Sequence, residues 1–218
     1  MIKFEAINEN LSNENKEQDA TFFDSHSLDT AKKYVDDLFA KSQSELYEDM
    51  LEEVLHYDES DCIIHFDVND VQITDILSEI KDNWEAFDEN ERKNIVVDFS
   101  NILAEKLGLE DIPNCNFYFA DEQGNYGFYS KADNNININT KYLYDYKETI
   151  NTVAHELRHA YQYQRAEIGE THIDDMYKCN LDNYQELIYL DGYCVNFFDY
   201  YNQFVEVEAR AFAKIFDI

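Results

Sequence analysis

Positive charge is scarce in this chain. Its 218 residues hold 17 Lys and Arg against 47 Asp and Glu, a formal net charge of −30 at pH 7. A surface of that sign repels phosphate backbones and anionic membranes, so nucleic acid is not an expected partner. A basic protein or a cationic peptide is the partner such a surface would favour, and a merely solvated acidic face is the plainer alternative. No run of 18 apolar residues occurs, so no membrane span is expected. The four cysteines, Cys62, Cys115, Cys179 and Cys194, form no CxxC pair. That argues against a structural zinc knot and supplies no disulfide framework. The opening stretch MIKFEAINENLSNENKEQDA lacks the basic-then-apolar pattern of a signal peptide. The expected location is therefore cytoplasmic, with export by a route that needs no cleaved signal as the alternative. Proline occurs once, at Pro113.

What the chain does have is apolar bulk, 44% of residues including 17 Tyr and 15 Phe, enough for a sizeable core. Residues 1–24 show little periodicity and read as a loose leader. Helical spacing then recurs from Asp29 to Tyr57, with a break near Lys41–Ser44. Cys62–Val68 is short and β-branched and reads as a strand. Val71–Lys81 reads as a helix. Asp88 with Glu91 three residues on forms a capping-box variant, opening a helix that stops at Gly108. Pro113 marks the crossing into β structure. Asn116–Ala120 and Tyr126–Ser130 read as strands joined by a turn at Glu122–Asn125. Asn134–Asn139 alternates polar and apolar, the sign of a half-exposed strand, and is taken as an edge, either free to pair with an extended peptide or ordinary and solvent-facing. After a polar stretch around Gly169–Lys178, the tyrosine-rich Asn183–Asn202 reads as partly helical. Gln203–Phe216 closes the chain as a helix. The fold class expected is α+β: a small mixed or antiparallel sheet packed on one central helix, mostly helical elsewhere. Residues 1–68 read as an N-terminal extension of unknown role, and residues 69–218 as the main domain.

That central helix, Tyr146–Ala166, carries His155-Glu156-Leu157-Arg158-His159. Positions i and i+4 share a helix face, so both imidazoles can grip one metal ion. Glu156 between them is placed to take a proton from water at that metal. Thr152, His155, His159 and Gln162 form one polar face, while Tyr146, Ile150, Val153, Leu157 and Tyr161 form an apolar stripe. With 6 His and 23 Glu in the chain, random placement yields HExxH about 0.02 times. The bland alternative is a surface helix that happens to hold two histidines.

A catalytic zinc site needs a third protein ligand. No histidine follows at the HExxHxxGxxH spacing, and His172 lies in what reads as a loop. A carboxylate from the last helix is the stronger choice, either Glu206 or Glu208, since periodicity does not separate them. With TVAHELRHAYQ on one helix and EVEARAFA on a later one, the chain resembles the gluzincin metallopeptidases, over roughly residues 84–218. The resemblance implies a zincin-like fold, zinc (Zn2+) as cofactor, His155 and His159 as ligands, Glu206 as the third ligand and Glu156 as general base. At Arg210 the chain departs from that pattern, where many relatives carry an Asp that orients a histidine. The function expected is a zinc-dependent metallopeptidase acting on a peptide or protein substrate. The alternative is a catalytically weak or inactive binding or regulatory protein on the same scaffold, using its acidic surface.

Overall fold

A computed structural model of the chain describes residues 50, 62, 64–121, 126–190 and 193–217, all within one compact unit, Tyr47–Ile218. The leader, the helical spacing before Tyr57 (Met50 apart) and the turn at 122–125 lie outside the described residues. Within them, the first four helices begin where a short polar side chain accepts from the first free N–H groups. Asp70 accepts from Gln72 N at 2.9 Å and opens α1, Val71–Asn83. Asp88 and Glu91 close the expected capping box at the head of α2, Glu89–Lys106. Past α2 the chain reverses at Gly108, whose φ of +71° suits a residue without a Cβ.

Three strands follow: β1 (Asn114–Tyr118), β2 (Gly127–Ser130) and β3 (Asn135–Asn139). Their order is β1-β3-β2, with β1 parallel and β2 antiparallel to β3. The fold is thus mixed α+β, helix-rich, with a small mixed sheet. One expectation is overturned: Asn134–Asn139 is not a free edge but the central strand. Its alternation reports two faces, not two edges. Ile136 and Ile138 are buried against the core while the asparagines line the opposite face. The strand read over Cys62–Val68 also finds no ladder partner among its described residues. There the alternation comes from Ile64, Phe66 and Val68 packing on the core, with Phe66 edge-on to Phe212 and Phe216.

The central helix, α3, runs Tyr146–Ile168, opened by Asp145 and closed by Gly169 in the left-handed region. Its stripe residues Ile150, Val153 and Leu157 are fully buried, beneath β3 on one side and the last helix on another. His172 does not lie in a loop: α4 spans His172–Asp182, with Thr171 and Asp174 in a second capping box. Asp174 also takes two hydrogen bonds from Arg165, 2.8 and 2.6 Å, tying α4 to α3. A two-stranded hairpin, β4 (Tyr189–Leu190) and β5 (Tyr193–Cys194), and the short α5 (Phe197–Tyr201) lead to α6, Phe204–Lys214. Trp84, Phe99, Phe212 and Phe216 centre the main core; Met176, Tyr177, Phe204 and Val205 form a second cluster. No helix among the described residues is long and apolar enough to cross a membrane.

Gly127 sets how closely β2 approaches α3. A Cβ there would stand 2.7 Å from Thr152 Cγ2 and 2.8 Å from the Asn137 carbonyl oxygen. Gly127→Ala must therefore push the strand from the helix, an overpacking cost of about 1–3 kcal/mol. Urea unfolding should show the loss; an unchanged midpoint would mean the strand yields without strain.

Candidate metal centre

The helical spacing of His155 and His159 brings their Nε2 atoms to 3.0 Å. Glu206 reaches them from α6, Oε2 lying 3.4 Å from His155 Nε2 and Oε1 3.5 Å from His159 Nε2. Ligand atoms of these three residues all fall within 4.8 Å of one another. Three donors converging from two helices, two imidazoles and a carboxylate, could hold a metal ion. Glu206 is 2% exposed. Burial alone would raise its pKa, but the two histidines and the Tyr184 hydroxyl outweigh that and hold it at about 2. The carboxylate is thus an anion at neutral pH.

Glu206 and Glu208, indistinguishable by periodicity, part company here. Glu208 turns into the core, where Arg158 Nε donates to its Oε1 at 2.8 Å and its Oε2 at 3.0 Å. Arg158 Nη2 also donates to Glu208 Oε1. The guanidinium lies 4.2 Å from the Tyr161 ring centre and 4.9 Å from that of Phe212. Glu208 balances a buried arginine, and Glu206 faces the histidines. His172 sits exposed at the start of α4, outside the cluster.

Glu156 lies beside this group, 7% exposed, where His155, Glu156 and Tyr200 line two adjoining cavities. The larger holds about 510 Å³ and is lined in part by Gly127 of β2. Burial, the largest influence, pushes Glu156 up to about 7; His159 opposes this and Glu206 adds to it. In the metal-free chain this has a consequence for stability. Folded Glu156 keeps its proton to about 7, whereas the unfolded side chain releases it near the ordinary 4.5. The stability it contributes is complete below pH 4.5 and lost as pH rises through 7. That interval corresponds to about 3 kcal/mol. Denaturant unfolding of the metal-free chain from pH 4.5 to above pH 7 should show this loss, and Glu156→Gln should remove it. Parallel profiles for the two proteins would contradict the assignment.

Among the tyrosines of that segment whose side chains are described, Tyr184 and Tyr200 stand at the site. Tyr184 OH donates to Glu206 Oε1 at 2.6 Å. Tyr200 packs against Tyr184 and lines both cavities. Burial, then the charge of Glu206, raises the pKa of each phenol, so both stay protonated donors. Tyr201 instead lies against the Arg210 guanidinium, 3.5 Å from ring centre to carbon. Arg210 also donates to the Tyr201 carbonyl at 2.6 Å and lines the larger cavity. The partner at His159 Nδ1 is Gln162, 2.9 Å away. Neither Tyr184 nor Gln162 was singled out for its role by sequence; Gln162 was visible only as a member of the polar face of α3. Compared with protein families, with curated proteins and with solved structures, the chain matches none.

Proposed function

We propose that the chain is a zinc-dependent peptidase of the gluzincin kind on a zincin-like fold, hydrolysing peptide bonds in a peptide or protein substrate. The observation that carries this reading is the convergence of His155, His159 and Glu206 within 4.8 Å, with Glu156 buried beside them. Those three residues would hold zinc, which when bound would supply Lewis acidity toward a water and the scissile carbonyl. Glu156 takes the proton of the attacking water on a carboxylate oxygen and passes it to the departing amine nitrogen. A group that exchanges its proton near neutrality suits both steps. Tyr200, kept protonated and facing the cavity, is the donor best placed to hydrogen-bond the oxygen that gains charge.

Substrate would lie along β2. Among the described residues β2 pairs with β3 alone, so its other edge offers backbone N–H and C=O groups to an extended peptide. Gly127 on that strand lines both cavities, which places the edge next to His155 and Glu156. The test is cleavage of an unfolded protein by the purified chain, before and after a zinc chelator and after zinc is restored. Cleavage that stops and returns supports the peptidase. Tight zinc binding with no cleavage would favour the alternative, a binding protein on the same scaffold.

A further inference from the structure

Beneath the histidines a chain of hydrogen bonds runs into the core. Gln162 is fully buried. Its amide nitrogen donates to the Val205 carbonyl at 2.9 Å and to Glu208 Oε2 at 2.6 Å. A carbonyl oxygen accepts and never donates, so the amide cannot be reversed: nitrogen faces Val205, and Oε1 faces His159. Oε1 lies 2.9 Å from His159 Nδ1. Two bare acceptors would repel at that distance, so Nδ1 must carry a hydrogen. A neutral imidazole has only one N–H. The lone pair is then left on Nε2, the atom that faces His155 and Glu206. Each further step is fixed as well. Glu208 is gripped by Arg158, whose Nη2 lies 3.4 Å from the Tyr177 hydroxyl and whose guanidinium is flanked by Tyr161 and Phe212. Because Val205 immediately precedes Glu206, the same amide also ties the histidine helix to the backbone that presents the carboxylate.

We propose that Gln162 is a positioning residue that locks His159 with Nδ1 protonated and Nε2 free for a metal, anchored by the buried Arg158–Glu208 pair. Gln162 and Glu208 together supply what a single orienting acid would supply by direct contact. The inference rests on reading His159 as a ligand, yet its decisive test needs no metal.

Long-range proton–nitrogen correlation spectra of the full, metal-free chain read the tautomer directly, with His159 assigned by its absence in His159→Gln. Neutral His159 should show a protonated Nδ1 and an unprotonated Nε2; the opposite pattern overturns the proposal. In Gln162→Met that pattern should give way to a mixture, and cobalt(II) affinity should fall by about 10–100-fold, the usual effect of losing an outer partner. A variant that merely melts earlier, with tautomer and cobalt affinity unchanged, would assign Gln162 a packing role and refute positioning. Should the variant fail to fold, the spectrum of the unaltered chain decides alone. Absence of peptide cleavage with the Nδ1–H pattern intact would count against the peptidase and spare this inference. An active peptidase with the opposite pattern would do the reverse.

Discussion

Glu156→Gln should lower kcat for peptide cleavage by about 10²–10⁴-fold, the range a general base contributes, while zinc content stays at that of the unaltered chain. The amide keeps the shape of a side chain that is 7% exposed, so packing and the three converging donors are left in place. What it lacks is the ability to take a proton from water. Because the lost interaction belongs to the transition state, KM should change little while kcat and kcat/KM fall together. Steady-state kinetics and metal analysis on one preparation separate the outcomes. Full activity would remove Glu156 from the mechanism. Loss of zinc along with activity would mean that Glu156 supports the metal instead of the proton transfer.

Removal of a ligand should have the larger effect on metal. His155→Ala takes away one of three converging donors, and zinc affinity should fall by more than the about 10–100-fold that an outer partner costs. Glu206→Gln should act in the same direction. It replaces a carboxylate held ionised at about 2 with a neutral amide beside two imidazoles. Glu208→Gln is the informative contrast. It leaves the three donors in place but strands the buried Arg158, whose Nε donates to both oxygens of Glu208. Its main cost should appear as stability, within the 3–5 kcal/mol range expected when a buried pair is broken, with a zinc loss no larger than the about 10–100-fold of an outer partner. Competition titration with a chelating dye and denaturant unfolding, run on all three variants, would show whether the two glutamates divide as described. Equal zinc loss from Glu206→Gln and Glu208→Gln would contradict that division.

Several parts of this architecture were legible from residues alone because they depend on local spacing. Asp88, Glu91 and Gly108 bracket α2 through contacts within one turn, and His155 and His159 meet because four residues make about one turn of helix. Other parts depend on what lies opposite, which periodicity does not report. Glu206 and Glu208 flank the apolar stripe of α6 about equally; Arg158 on α3 decides between them by drawing Glu208 away. Alternation in Asn135–Asn139 identified an inward and an outward face, but the central position of the strand follows from β1 and β2 on either side. The helix at His172–Asp182 was missed although its signal was present. Thr171 and Asp174 stand at capping-box spacing before Met176 and Tyr177, and the polar run around them masked it. Tyr184 was one tyrosine among several until the chain between α4 and α6 brought its hydroxyl to Glu206.

The central claim is that His155, His159 and Glu206 share one cation. Crystals of the chain grown with zinc, with anomalous data collected on either side of the zinc edge, test it most directly. One peak is expected among the two Nε2 atoms and the Glu206 carboxylate. A map without a peak there, or with zinc held only by other acidic side chains, would contradict it.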